Sequence, residues 1–312
     1  MFHELLRLKP MTMNARELPP ESRPNAGPIE AWNGVLFDKF LRYRETVVDG
    51  LGIHGDQLLE RVGPLHGQRV LDIGCGFGDT TRQLAARVGP GGQAVGMDCA
   101  TRFITLAEAE ARAARVTNAS FLVGDAQMDD LGGPYDLAFS RFGTMFFLSP
   151  VAALKNVRRH LAPGGRLAMV TWRKREDNPW LFEAQCAVRA IIPEEVEDKQ
   201  AVTCGPGPFS MMSADLVSTQ LLAAGFTKIS FERHDALIRV GSTIEEATEI
   251  AMELGPAGEI VRLAGEVGIR KKAEIVAALR DVWARWVRPN GIYAPSSTWL
   301  ITATREENAL RA

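Results

Sequence analysis

Cysteine is scarce in this sequence, and so are the features of secreted, membrane-spanning or nucleic-acid-binding proteins. The four cysteines form no CxxC pair, and the N-terminus lacks a basic start followed by an apolar core, which predicts reduced thiols in a cytoplasmic protein. No apolar run approaches the about 20 residues that span a bilayer, so no membrane insertion is expected. The formal net charge is -2, so the surplus of Lys and Arg that a polyanion requires is absent and no nucleic-acid partner is expected. The cysteines are Cys75, Cys99, Cys186 and Cys204.

The densest basic cluster is also small. Arg173-Lys174-Arg175 is followed at once by Glu176 and Asp177, which predicts a solvated turn. The chain is otherwise that of an ordinary globular protein, 46% hydrophobic and 24% charged, and is long enough for one large α/β domain with inserted elements.

The N-terminal part divides into two segments. Residues 1–28 are rich in proline and predict an irregular arm, with Met1, Met11 and Met13 as alternative natural starts. In residues 29–63 apolar side chains recur mostly every three or four positions, which predicts a helical lid that Gly63-Pro64 terminates.

Strand and helix patterns alternate through residues 64–175 and predict a mainly parallel sheet. After that core we expect a helical insertion over 176–212 and, over 213–241, a helix and a strand that complete the sheet, with Gly225 as a left-handed cap. A second helical insertion over 242–292 precedes the last strand and C-terminus, 293–312. The core strands are predicted at 69–73, 94–98, 119–123, 135–140 and 166–172, and its helices at 80–88, 102–115 and 151–161.

A glycine-rich turn is the most informative segment. Between Val70 and Thr80 the end of a strand brings three alternate glycines, Gly74, Gly76 and Gly78, to the start of a helix. Glycines there allow a tight turn and leave no Cβ in the way of a ligand. A nucleotide-type ligand can then lie across the carboxyl edge of the sheet, where open α/β sheets bind ligands.

Acidic residues at three successive strand ends narrow the choice of ligand. A dinucleotide fingerprint counted from Gly74 requires glycine where Asp79 stands. Asp72 suits a ligand with an ammonium group, such as S-adenosylmethionine (AdoMet), rather than a pyrophosphate. Asp98 ends the second strand, where a carboxylate can accept both ribose hydroxyls. Asp125 ends the third strand, where a carboxylate can accept a hydrogen bond from the adenine amine.

Five motifs follow one another along the core: Val70–Thr80, Asp98, Gly124-Asp125-Ala126, Tyr135-Asp136-Leu137 and Leu161-Ala162-Pro163-Gly164-Gly165. Together they resemble the motifs of class I AdoMet-dependent methyltransferases, and within that class the small-molecule enzymes similar to those of ubiquinone and menaquinone biosynthesis. The resemblance is strong over about residues 30–173. It implies an α/β Rossmann-like fold with a seven-stranded, mainly parallel sheet, an antiparallel last strand, and helical additions that cover the site.

The resemblance also implies a role for individual residues. The residue matching Asp72 holds the methionine amino group, the loop Gly74–Gly78 lies under the methionyl and ribose parts, and Ala126 offers a backbone contact to adenine. AdoMet is then the cofactor, S-adenosylhomocysteine (AdoHcy) the product, and no metal is expected. The predicted cofactor-binding residues are Asp72, Gly74, Cys75, Gly76, Gly78, Asp98, Cys99, Asp125, Ala126 and Ser140.

Methyl transfer from a sulfonium is an in-line displacement at an activated carbon, so orientation and exclusion of water can supply about 7–11 kcal/mol of the barrier reduction. The small-molecule acceptor is expected beyond the fourth and fifth strands, in an apolar pocket. Its predicted residues are Trp32, which is expected to close over AdoMet, Arg141, Phe142, Met145, Phe146 and Trp172, with Arg141 or Arg173 against an anionic or carbonyl group.

Several alternatives stay open on the sequence. A general base is optional, and His54 in the lid is only a weak candidate. The residues do not separate O-, C- and N-methylation, and they leave a homodimer possible. An AdoMet-binding sensor without turnover fits the same motifs, and an NAD(P)-dependent oxidoreductase fits the glycine turn but not Asp72, Asp79 or Asp125.

Overall fold

The computed structural model describes residues 23–193 and 205–307. Most of the predicted arm 1–28, Cys204 and most of the acidic stretch after Pro193 lie outside these residues. The strands are β1 (Arg69–Ile73), β2 (Gln93–Asp98), β3 (Ala119–Val123), β4 (Tyr135–Arg141), β5 (Leu161–Trp172), β6 (Thr227–Gly241), β7 (Val287–Arg288) and β8 (Gly291–Thr304).

Helices surround and extend this sheet. Those that precede or connect the first five strands are α1 (Ala26–Asn33), α2 (Val35–Arg42), α3 (Leu51–Val62), α4 (Asp79–Val88), α5 (Thr101–Ala113) and α6 (Pro150–His160). Those that follow are α7 (Pro179–Ile191), α8 (Ala214–Ala223), α9 (Ile244–Glu253), α10 (Pro256–Leu263), α11 (Glu266–Arg270) and α12 (Lys272–Ala284). Gly225 follows α8 with a φ of 86°, so the predicted left-handed cap is confirmed.

The sheet has the strand order β3-β2-β1-β4-β5-β8-β6. Strands β1 to β5 pair in parallel, and β8 runs antiparallel between β5 and β6. The predicted α/β Rossmann-like fold with an antiparallel last strand is therefore confirmed. The strand count differs by one, because the two-residue β7 pairs with β8 outside the main order.

Strands β6 and β8 are longer than the sequence pattern indicates. Strand β5 ends at Trp172, which pairs with Thr298, whereas the β6–β8 pairing continues to Gly241 opposite Ile292. Because β6 runs in the same direction as β5, this extension projects beyond the carboxyl edge of the sheet. It brings a two-stranded ribbon next to the edge where a ligand is expected.

Helices α7, α9, α10, α11 and α12 form a cap on this ribbon. Ile238 and Ala294 of the ribbon pack with Val188, Leu279 and Trp283 of the cap in one buried cluster. Within the predicted helical insertion 242–292, the last helix ends at Ala284 and strand pairing begins at Val287.

The lid consists of α1, α2 and α3. The sequence pattern favours an uninterrupted helical segment, but breaks occur at Gly34 and near Tyr43, and a π-helical turn (Thr46–Gly50) precedes α3. That turn lies directly on β6, since a Cβ on Gly50 would be 2.3 Å from the Arg239 carbonyl oxygen. Among the described residues, no helix is long and apolar enough to cross a membrane.

Candidate active site

One large cavity lies between the carboxyl edge of the sheet, the lid and the cap. Its volume is about 1330 Å³. A single small ligand typically occupies a pocket of about 300–1,000 Å³. The cavity therefore has room for two small molecules, and it touches both the glycine-rich turn and the aromatic residues after β4 and β5.

The glycine-rich turn places its glycines for different reasons. Gly74, Gly76 and Gly78 have φ values of 68°, 52° and 74°, which favour glycine. A Cβ on Gly74 would be 3.0 Å from the Cα of Gly143, and one on Gly78 would be 2.8 Å from the Phe121 ring. A Cβ on Gly76 meets no atom nearer than 4.0 Å, and Gly76 lines the cavity, so the open space beside it fits an adenosyl ligand.

Asp98, at the end of β2, accepts hydrogen bonds from the backbone of two neighbouring loops. Its Oδ2 accepts a hydrogen bond from Gly76 N and its Oδ1 from Ala100 N, both at 3.0 Å. Burial raises the pKa of this carboxyl, and these backbone donors oppose the shift. Asp98 also lines the cavity, so its carboxylate can accept hydrogen bonds from hydroxyl groups of a ligand there.

Asp72 is buried at the end of β1 and lines the same cavity. Burial raises its pKa to about 7, although a hydrogen bond from Thr81 Oγ1 at 2.7 Å favours the charged form. A cationic group in the cavity would stabilise the carboxylate. This chemistry fits the ammonium group of an amino-acid moiety.

Asp125 lies at the third strand end together with a residue that the sequence reasoning missed. Its Oδ1 accepts hydrogen bonds from Gln127 N at 3.0 Å and Gln127 Nε2 at 3.2 Å. Its Oδ2 accepts one from Asn25 Nδ2 at 2.5 Å. All three residues line the cavity, as does Ala126. Only the fold of the lid brings Asn25 here, and no local motif marks it.

Two predicted cofactor residues do not line the cavity. Gly78 faces the sheet, and the buried Ser140 hydroxyl donates to the Ile73 carbonyl at 2.9 Å, where it ties β4 to β1. Cys75 and Cys99 do line it, and burial raises the pKa of both thiols. Within residues 23–193 and 205–307, no group of three or more His, Cys, Asp or Glu side chains could hold a metal ion.

Aromatic side chains form the opposite wall. Phe142 stacks on Trp172 with ring centroids 4.2 Å apart, and Phe146 meets Trp32 of the lid edge-on at 5.0 Å. Met145 lies beneath, with its Sδ 3.5 Å from the Trp172 backbone nitrogen. The structure thus brings these predicted acceptor-site residues together in one cavity.

Cationic and donor groups interrupt this apolar wall. Arg141 lines the cavity under α3, donates to the Val48 carbonyl at 3.3 Å, and has its pKa lowered by burial. The predicted solvated turn at 173–175 is only partly correct. Lys174 is exposed, but Arg175 lines the cavity and donates to Gln185 Oε1 at 3.1 Å. The Arg175 Nε and Trp180 Nε1 atoms are buried without a partner.

His54 does not reach the cavity. It is fully buried behind Phe142 and Trp172, with Nε2 2.8 Å from Ser296 Oγ and Nδ1 2.8 Å from His234 Nδ1. Burial lowers its pKa to about 3, so the ring is neutral. His54 thus joins α3 to the β6–β8 ribbon. His234 lies within β6.

Ion pairs connect the lid to its surroundings. Arg102 of α5 pairs with Asp38 of α2 at 2.7 Å. Across the cavity mouth, Lys39 of α2 pairs with Glu253 of α9 at 3.2 Å. The lid is thus held both to the sheet domain and to the cap.

Comparison with known proteins agrees with this geometry. Residues 65–235 match the family model described as a methyltransferase domain. The chain belongs to this methyltransferase family. The family match and the named relatives identify an AdoMet-dependent methyltransferase. They favour methyl transfer over the NAD(P)-dependent oxidoreductase alternative.

Three of its relatives are named methyltransferases. The chain is 31% identical to nocamycin O-methyltransferase of Saccharothrix syringae over 219 residues, which are 67% of this chain and 77% of that one. It is 32% identical to the demethylmenaquinone methyltransferase of Lactococcus lactis, covering 36% and 45%. It is 33% identical to aklanonic acid methyltransferase of a Streptomyces species, covering 40% and 60%.

Two solved structures are similar to this chain at low sequence identity. A SAM-dependent methyltransferase from Aquifex aeolicus has a TM-score of 0.42 and 20% identity, covering 59% of this chain and 82% of that one. Phosphoethanolamine N-methyltransferase 2 from Haemonchus contortus, in complex with S-adenosyl-L-methionine, has a TM-score of 0.46 and 18% identity, covering 80% and 51%.

Proposed function

We propose that the protein transfers the methyl group of AdoMet to a small aromatic or lipophilic molecule that carries an oxygen substituent. The observation that carries the proposal is the single cavity of about 1330 Å³, in which the acidic strand ends face an aromatic wall. The two halves of that cavity suit two chemically different ligands.

The polar half is assigned to AdoMet, which when bound supplies a methyl group on a sulfonium. Asp98 accepts the ribose hydroxyls, Asp125 the adenine amine, and Asp72 the ammonium of the methionyl part. The turn Gly74–Gly78 lets the backbone approach the ligand. Asp72 and Asp125 are buried and Asp98 is half-buried, which supports the roles, because a desolvated carboxylate binds donors and cations strongly.

The aromatic half is assigned to the acceptor. The stacked Phe142 and Trp172 rings offer a flat apolar face, and Trp180 lies 5.6 Å from Trp172. Planar aromatic molecules bind such faces by stacking and by burial of apolar surface. Two relatives bear the names of nocamycin and aklanonic acid, and this supports a natural-product-like acceptor.

Unpartnered donors indicate the substituent. Arg175 Nε and Trp180 Nε1 can only donate hydrogen bonds, and both are buried beside the cavity without a partner. A buried donor without a partner costs free energy, so a ligand that accepts is favoured. We therefore assign a carbonyl, carboxylate or phenolic oxygen to this end of the acceptor.

Catalysis in this arrangement rests on position and exclusion of water. The lid and the cap close over the sheet edge, and the wall of aromatic side chains keeps water from the acceptor. Arg141 places a buried positive charge beside the acceptor space, which favours the anionic form of an acidic phenol or enol. Such an acceptor needs no separate general base.

The test is methyl transfer from labelled AdoMet to paired aromatic acceptors that differ only in one oxygen substituent. Both members keep the group that accepts the methyl, and we expect a lower KM for the oxygen-bearing member. Trp180→Phe keeps the ring and removes the N–H, so it should raise KM for that member about tenfold and leave the other unchanged. Tight AdoMet binding without turnover of any aromatic acceptor would favour the sensor instead.

A further inference from the structure

Asn25 stands at the N-cap position of α1 but does not cap the helix. Asn is among the preferred N-cap residues because its side-chain oxygen accepts a bond from the first turn. Here the side chain makes no capping hydrogen bond. It is 5% exposed and reaches across to Asp125, at the far end of the cofactor half of the cavity.

The Asp125 carboxylate determines which way the Asn25 amide faces. An ionised carboxylate only accepts hydrogen bonds, so the amide nitrogen must point at it, and Nδ2 lies 2.5 Å from Asp125 Oδ2. The amide oxygen then points away from the carboxylate. This Oδ1 is buried and has no hydrogen-bond partner. It is an acceptor in need of a donor.

Asp125 itself has little acceptor capacity left. A carboxylate has about four lone-pair sites. Gln127 N and Gln127 Nε2 occupy those of Oδ1, and Asn25 Nδ2 occupies one on Oδ2. One site on Oδ2 remains. A ligand group with two N–H donors would therefore match the free site of Asp125 and the free oxygen of Asn25.

We propose that Asn25 is a specificity-determining residue that reads the exocyclic amine of adenine together with Asp125. This inference rests on the proposed cofactor site. The carboxylate accepts one N–H of the amine and Asn25 Oδ1 accepts the other. A purine that carries a carbonyl oxygen in place of the amine would bring that oxygen against the acceptor oxygens of Asp125 and Asn25. Such a purine would bind more weakly.

A second contact holds Asn25 in place. Arg23 Nη1 lies 3.1 Å from both carboxylate oxygens of Asp129, and Asp129 Oδ2 accepts from Asp125 N at 2.8 Å. Residues 23–25 thus clasp the loop that carries Asp125. The Arg23 guanidinium has only donors and offers no acceptor to an adenine amine. Arg23→Ala therefore removes the contact with Asp129 without removing an acceptor.

The test is calorimetric titration of the full chain with AdoHcy and with S-inosylhomocysteine, in which a carbonyl replaces the adenine amine. We expect wild type to prefer AdoHcy by at least about tenfold. Asn25→Ala should weaken AdoHcy binding about tenfold and change S-inosylhomocysteine binding less than about twofold. Asn25→Ser, which can still cap α1, should behave alike and guards against misfolding. Arg23→Ala should affect both ligands equally.

Two results would overturn the inference alone: equal loss of both ligands in Asn25→Ser, or no preference for AdoHcy in wild type that binds it tightly. Failure of the proposed cofactor site would look different. Wild-type protein would then bind neither ligand, and Asp98→Ala would change nothing. That result would overturn both proposals.

Discussion

The two halves of the cavity are built in different ways. The cofactor half comes chiefly from three strand ends and the turns after them, between Asp72 and Gln127. The acceptor half combines the lid, the ends of β4 and β5, and the cap, with lining residues from Trp32 to Arg280. A site at parallel strand ends needs only a local pattern, whereas a pocket between separate segments needs the whole chain to fold first.

The largest expected effect is that one substitution in each half impairs the binding or turnover of a different ligand. Asp98→Ala removes an acceptor that holds Gly76 N and Ala100 N and that we propose binds the ribose, so AdoHcy binding should weaken at least about 100-fold. Trp172→Ala should leave AdoHcy binding within about twofold and abolish acceptor turnover. Calorimetry and a methyl-transfer assay check the pair. Equal effects of both substitutions on AdoHcy binding would contradict the division.

The next effect concerns stability and not chemistry. His54→Ala removes a fully buried ring with partners on both nitrogens, and should lower the free energy of unfolding by about 2–4 kcal/mol. Denaturant unfolding measures this, with the exposed His66→Ala as the control. Folded His54→Ala protein should keep its turnover number. Loss of turnover without loss of stability would indicate that His54 takes part in catalysis.

A smaller effect is the pH dependence of cofactor binding. Burial raises the pKa of Asp72 to about 7, and a bound ammonium favours the carboxylate. Binding therefore releases a proton below about pH 7, and AdoHcy affinity should fall up to about tenfold per pH unit as pH drops further. Titrations between about pH 5 and 7 should show the slope in wild type and a flat profile in Asp72→Asn. If the pH dependence of AdoHcy affinity persists in Asp72→Asn, a group other than Asp72 causes it.

The smallest effect is at the cavity mouth. Lys39→Ala breaks the half-exposed pair with Glu253, which should raise the acceptor KM about twofold at low salt and less at high salt. Arg61→Ala breaks a comparably exposed pair with Glu232, at 3.0 Å between α3 and β6 and away from the cavity lining, and serves as the matched control. A change in AdoHcy affinity in Lys39→Ala would contradict this prediction, because Lys39 would then affect the cofactor half of the cavity.

Much of the cofactor half was predictable because its signals are local. Gly74 and Gly76, Asp98 and Asp125 were identified from strand ends, and the structure places all four at the cavity. Ser140 follows the same pattern, yet its hydroxyl bonds to the Ile73 carbonyl, because side chains alternate between the two faces of a strand. Asn25 had no local signal, since its partner Asp125 lies 100 positions away.

The acceptor half was predictable only where it adjoins the core strands. Phe142 follows β4 and Trp172 is the last residue of β5, so their place at the carboxyl edge could be inferred. The positions of Arg175 and Trp180 at the cavity could not be inferred. The sequence pattern of a basic turn or an amphipathic helix is the same whether it faces water or another part of the protein. The length of the β6–β8 ribbon, which positions that cap, depends on pairing between segments far apart in the chain.

By itself the sequence determined the class of fold and the cofactor chemistry, because hydrophobic periodicity, glycine turns and strand-end acids act over a few residues. Only the tertiary structure decided the shape of the acceptor space, the burial of His54 away from it, and the position of Asn25 beside Asp125. These features arise from packing between distant segments, and no local pattern encodes which side chain will meet which.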